Sequence, residues 1–204
     1  PYGTGASWKM ANLAIPTELP GTDSIVVCPM RLLPGAVGRI SPAGIVSVIN
    51  AHLMPETPHG YPGERHLKLA MSDAAARDAA GRGAMLDQID RLVDFARSWD
   101  RSAPLLVHCF SGLNRSPAAA FIALCALNPA TPETLIAMLL RQASDTAAPH
   151  RQMVALADQL LGREGRMIGA IDVIGPGLPS AEGRPFHLAA TVASENSDHR
   201  VGAR

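Results

Sequence analysis

The stretch Leu105-Leu106-Val107-His108-Cys109-Phe110-Ser111-Gly112-Leu113-Asn114-Arg115-Ser116-Pro117 decides how this chain folds and where its chemistry sits. Pro104 to His108 is short and continuously apolar up to its histidine, which predicts a central parallel strand covered on both faces. Ser116 to Leu127 is apolar almost all round and predicts a buried helix. Between them lies a short turn with glycine third after Cys109, and it sets Cys109 and Arg115 six positions apart.

That geometry has a chemical reading. Successive backbone N–H groups in such a turn point inward as an anion nest, and the following helix N-terminus adds partial positive charge. Cys109 sits in the same field, which favours thiolate over thiol. Arg115 adds a planar guanidinium able to hold two phosphate oxygens at once, which a lysine cannot do. Gly112 gives the turn its conformational latitude. Pro117 is tolerated because the first helical turn has no use for its N–H. Ser116 is placed to donate a hydrogen bond to the sulfur, helping it leave when a thiophosphate breaks down. The loop thus has the parts for two-step covalent phosphoryl transfer: attack by sulfur, then attack by water.

Working outward, Ser24 to Cys28, Gly44 to Asn50 and His66 to Met71 predict three further strands, with a helical turn near Val37. Residues Met54 to Glu64 hold three prolines and two glycines and predict a loop. Met85, Ile89, Leu92, Ala96 and Trp99 recur at helical spacing, giving a helix over Arg82 to Trp99. Thr131 as cap and Pro132 at the first position start another, running to Gln142, and Pro149 to Leu161 gives a third. Ile168 to Ile174 and Phe186 to Val192 read as extra strands or a wrapping tail. Strands alternating with helices make an α/β layered domain with a mostly parallel sheet.

The totals narrow the partners. A chain of 204 residues fits one domain with some extension. Lysine plus arginine and aspartate plus glutamate stand at 18 each, so no global field recruits nucleic acid or an anionic membrane, and any attraction for anions is local. Three cysteines, Cys28, Cys109 and Cys125, lack both a disulfide framework and zinc-site spacing, which points to a reducing compartment. Residues Pro1 to Asn12 lack the pattern of a signal peptide, and no apolar run approaches the roughly 18 residues of a membrane span. The expectation is a soluble cytoplasmic protein, with its oligomeric state left open.

The order His-Cys-five residues-Arg-Ser resembles the cysteine-dependent protein tyrosine phosphatases, in particular the dual-specificity branch and its bacterial relatives. The resemblance covers roughly Ile25 to Leu161 and implies a three-layer phosphatase-like α/β domain, its short, mostly parallel sheet flanked by helices. The implied division is an irregular lead-in over 1–22, a catalytic domain over 23–162 and an extension over 163–204 that packs on the domain or is partly mobile. It implies Cys109 as nucleophile, Arg115 with Phe110, Ser111, Gly112, Leu113 and Asn114 as the phosphate-binding loop, Ser116 assisting and His108 supporting. It also implies a general-acid aspartate after the preceding strand. Asp73, 36 residues before Cys109, is favoured over Asp78, which suits the start of a helix. Phe110 and Ser111 depart from the family's usual loop residues and bear on substrate preference.

The expected substrate is a phosphorylated protein or peptide, phosphotyrosine first and phosphoserine or phosphothreonine second. Phosphate or sulfate would occupy the loop, and no cofactor or metal is called for. Cys28 and Cys125 read as core residues, with a resolving disulfide to Cys109 as the family's alternative. Tyr61 reads as a surface loop tyrosine, with pocket lining as the second option. His150 and Arg151 read as helix-start polarity rather than site residues. The loop lacks the lysines of a phosphoinositide phosphatase, Cys109 lies too far along the chain for the low-molecular-weight class, and Arg115-Ser116 fits a sulfurtransferase poorly. The alternative function is a phosphopeptide-binding pseudophosphatase.

Overall fold

Five strands, β1 (Ser24–Pro29), β2 (Gly44–Ile49), β3 (His66–Ala70), β4 (Leu105–Cys109) and β5 (Phe186–Ala189), build one sheet in the computed structural model, which describes residues 20–71 and 78–192. Their order is β3-β2-β4-β1-β5. The first four run parallel, and β5 joins the edge antiparallel to β1, pairing Val27 with Phe186 and Ser24 with Ala189. The helices are α1 (Leu33–Ile40), α2 (Ala79–Ser98), α3 (Arg115–Leu127), α4 (Glu133–Ala143), α5 (Arg151–Leu160) and α6 (Arg166–Ile174).

Alternation along each strand sends successive side chains to opposite faces and so makes two cores. Val26, Cys28, Ile45 and Leu106 face α1 and pack with Leu33, Ala36 and Ile40. Ile25, Val27, Val46, Val48 and Val107 face the larger layer formed by α2, α3 and their neighbours. Helix α3 runs through that layer, its residues from Ser116 to Ala126 all buried, which explains an apolar sequence with no polar face. Among the described residues, no helix is long and apolar enough to cross a membrane.

Several boundaries differ from the sequence reading, for identifiable reasons. The segment over Ile168 to Ile174 is helical, part of α6, because Asp158 caps it: its carboxylate accepts from Gly165 N at 2.7 Å and Met167 N at 2.8 Å. Only the last segment, β5, is a strand. The turn near Val37 is the two-turn helix α1, with Pro34 in its first turn and Ser41 at φ 43° closing it. Helix α2 begins at Ala79, three residues early, because the Asp78 carboxylate accepts from Gly81 N at 2.8 Å. Helix α4 begins at Glu133, with Pro132 in the capping position that the sequence assigns to Thr131. Glu133 is buried and paired with Arg163 at 3.1 Å, tying the start of α4 to the turn before α6.

Candidate active site

At the end of β4, Cys109 is 2% exposed, and its Sγ accepts hydrogen bonds from Ser116 Oγ at 3.0 Å and Gly112 N at 3.3 Å. Gly112 stands at φ 74°, where a Cβ would meet Pro29 N at 3.0 Å, so both its backbone angle and its neighbours demand glycine.

The carbonyls of the loop are bound from outside. Phe110 O accepts from Met30 N at 3.1 Å, Ser111 O from Gly183 N at 2.8 Å and Leu113 O from Ala148 N at 2.8 Å. Asn114 O accepts from Ala118 N at 3.1 Å and His150 N at 3.3 Å. A trans peptide is planar, with its C=O and the next residue's N–H pointing opposite ways. Fixing these oxygens outward therefore turns the N–H groups of Ser111, Gly112, Asn114 and Arg115 toward the loop's interior. Asn114 adds a side-chain bond from Nδ2 to Ala148 O at 2.6 Å, which clamps the loop to the segment before α5. Such an arrangement of N–H groups can cradle an anion, with a sulfur at the floor of the loop.

Arg115, the first residue of α3, reaches across the sheet end. Its Nη1 donates to Asn50 Oδ1 at 2.7 Å and Met71 O at 2.8 Å, the residues just beyond β2 and β3. The guanidinium is thereby held at the carboxyl ends of the parallel strands, where α/β folds place their ligands.

Behind the loop, His108 heads a buried polar chain. His108 Nε2 lies 2.6 Å from Ser47 Oγ, Ser47 Oγ lies 2.7 Å from His66 Nε2, and His66 Nδ1 lies 3.0 Å from Thr57 Oγ1. One hydroxyl proton cannot serve two rings, so donation from Ser47 to one imidazole pairs with acceptance from the other. Burial pushes His66 down to about 4, with Lys68 adding to the effect. Burial likewise lowers His108 to about 4, with His66 adding and the Cys109 main chain opposing. Unfolded, both rings take up protons near pH 6.5. Between about pH 6.5 and 4 the unfolded chain therefore binds more protons, and stability falls as pH drops through that window. We expect His66→Gln to flatten this part of the profile, measured by urea unfolding between pH 7 and 4. Equal slopes for both proteins would count against the assignment.

Of the other residues singled out in the sequence, His150 borders the loop, its main-chain N–H donating to Asn114 O at 3.3 Å. Tyr61 donates from its hydroxyl to Pro42 O at 3.0 Å and packs on the α1-side core. Pro42 precedes β2, so Tyr61 belongs to the end of the sheet opposite Cys109, and the pocket-lining option is ruled out. His150 caps α5, its ring accepting from Met153 N at 3.3 Å, and Arg151 pairs with Asp172. Cys28 packs on the α1 face, at a β1 position that pairs with His108, the residue before Cys109. Burial pushes the Cys28 thiol up to about 12. Cys125, far along α3, is raised by burial as well. Asp73 lies outside the described residues, two positions after Met71 in the chain. Asn50, Ser47, His66 and Thr57 escape the sequence reading. A serine within the aliphatic run Gly44 to Ile49 is the signal that points to the polar chain.

The same frame occurs in solved structures. The Cydia Pomonella PTP-2 phosphatase matches 65% of this chain and 83% of its own with a TM-score of 0.51 at 17% identity. The fold is that of the protein tyrosine phosphatases. DUSP15 matches 72% of this chain and 88% of its own, with a TM-score of 0.48 at 12% identity. A mutant form of Tk-PTP matches 67% and 86%, with a TM-score of 0.45 at 16% identity. No protein-family model matches the sequence, and no curated protein does so significantly. On this phosphatase fold, Cys109, Arg115 and Ser116 converge on one loop.

Proposed function

We propose that the protein is a phosphoric monoester hydrolase acting on phosphotyrosine in proteins or peptides, with phosphoserine and phosphothreonine as a second substrate class. The observation that carries this reading is the Cys109 sulfur, bonded by Gly112 N–H and Ser116 O–H at the floor of a cradle whose Phe110, Ser111, Leu113 and Asn114 carbonyls are hydrogen-bonded away from it.

The thiolate of Cys109 attacks phosphorus, forming an S–P bond as the P–O bond to the leaving oxygen breaks. Loop N–H groups and the Arg115 guanidinium carry the charge on the phosphoryl oxygens. Asp73 gives its proton to the leaving oxygen, then takes one from water as that water attacks phosphorus and the S–P bond breaks. Ser116 O–H stabilises the departing thiolate. The chemistry uses no metal. Phe110, exposed beside the nucleophile, offers an aromatic surface to the substrate at the loop's rim.

The test is hydrolysis of a phosphotyrosine peptide in EDTA by wild type, Asp73→Asn and Asp78→Asn. We expect Asp73→Asn to lose about 10²–10⁴-fold in kcat. Asp78→Asn should keep turnover, since asparagine still caps α2. A larger loss at Asp78 would transfer the acid role to it. Wild type that binds the peptide without hydrolysing it would make the protein a phosphopeptide reader instead.

A further inference from the structure

Beyond α6 the chain turns back over the cradle. Gly175 O accepts from Arg141 Nη2 at 3.0 Å, and Leu178 N donates to Asp145 O at 2.8 Å. Gly177 passes so close to Thr146 that a Cβ would lie 2.4 Å from its carbonyl oxygen. Glu182 then pairs with Arg31, next to the Met30 N–H that holds Phe110 O. Gly183 follows, donating from N to Ser111 O at 2.8 Å. A Cβ there would stand 2.8 Å from Gly112 O and 3.4 Å from Leu113 Cδ2. Three residues on, β5 locks the segment to β1.

The decisive relation is that Ser111 C=O and Gly112 N–H are two ends of one peptide plane. Gly183 holds the oxygen, and the N–H on the other side points at Cys109 Sγ. Glycine at 112 is free to take the opposite orientation of that plane, so the local sequence does not choose between them. The bond from Gly183 does.

We propose that residues 177–186 are part of the phosphate-binding machinery, with Gly183 as a positioning residue that aims the Gly112 N–H at the sulfur and at bound oxyanion. This rests on the reading of the loop as a phosphate site. The extension past Gly162 is therefore not an accessory tail. It supplies one of the donors from outside the loop that shape the cradle, and its close approach there requires a residue without a side chain.

The probe is inorganic orthovanadate, its affinity measured by calorimetry so that no turnover is needed. Gly183→Ala places a methyl against Gly112 O and is expected to weaken vanadate binding about 10-fold or more, with kcat/KM falling by a similar factor. Leu188→Ala removes buried packing from β5 without touching the loop. It should lower Tm and leave vanadate affinity unchanged. In the wild type, the Gly183 amide should exchange slowly with deuterium by NMR, and more slowly still when vanadate fills the loop. Unchanged affinity in Gly183→Ala overturns the proposal, as does equal loss in Leu188→Ala, which would mark a purely structural role. Should Gly183→Ala not fold, a Gly183 amide that exchanges freely in vanadate-bound wild type overturns it independently. Wild type that binds no vanadate sinks the phosphate-site reading and this inference together. Vanadate binding without hydrolysis sinks only the enzymatic reading.

Discussion

Cys109→Ser is expected to abolish hydrolysis of a phosphotyrosine peptide, a fall in kcat of at least about 10⁴-fold, as loss of a covalent nucleophile produces elsewhere. The reason is local. Every other element of the cradle stays: the Ser111, Gly112, Asn114 and Arg115 N–H groups remain aimed by carbonyls bound to Met30, Gly183, Ala148 and His150. What changes is the atom at the floor, from sulfur, the stronger nucleophile, to a hydroxyl oxygen that needs an adjacent base to activate it. No general base is hydrogen-bonded to that position among the described residues, since its two partners, Ser116 O–H and Gly112 N–H, are both donors. Oxyanion binding should therefore survive while turnover is lost. Quenched-flow assays with a phosphorus-32-labelled peptide would trap the phosphoenzyme in wild type and none in the variant. Residual turnover above a thousandth of wild type would mean that the nucleophile is another group.

Arg115→Lys is expected to lower kcat/KM by about 10²–10³-fold, the range for losing a charge-stabilising donor. Charge is conserved in this change, so the effect isolates geometry. The guanidinium is planar, and one of its nitrogens already bridges Asn50 Oδ1 and Met71 O, which sets the plane and leaves other N–H groups for phosphoryl oxygens. A lysine ammonium is a point donor on a flexible stem and cannot hold both sheet ends and two oxygens at once. Since the interaction grows as charge spreads over the transferring group, kcat should fall along with affinity. A loss below 10-fold, with vanadate affinity intact, would show that the loop amides suffice and that Arg115 is structural.

Much of this is legible in the sequence because it is local. Strand β4, the turn and helix α3 follow from Leu105 to Leu127 alone, and α2 from the spacing of Met85, Ile89, Leu92 and Ala96. Of the sulfur's two donors, Gly112 enters the sequence reading for its backbone freedom and its N–H bond to the sulfur emerges only in the fold, while Ser116 can be assigned from spacing. The partners of Arg115 cannot, because Asn50 and a main-chain oxygen of Met71 arrive through sheet register rather than sequence proximity. The same holds for Ser47, which meets His108 because β2 and β4 pair at those positions. Helix α6 escapes a local reading because its capping residue, Asp158, sits seven residues before Gly165, in the preceding helix. Gly183 is invisible for a different reason: its function lies in a main-chain N–H, which every non-proline residue carries, and in the absence of a side chain.

The outward-bound carbonyls have a consequence for the order in which the protein comes into being. Their donors lie at Met30, Ala148, His150 and Gly183, spread over most of the described chain on both sides of the loop. Contacts of such long sequence separation carry a loop-closure cost before they repay it, and they form late. During synthesis, Cys109 emerges after Met30 but well before Ala148, His150 and Gly183. A ribosome-bound chain that ends before Gly183 carries Cys109 with the Ser111 carbonyl still lacking its donor, and that bond can form only as the last strand joins the sheet.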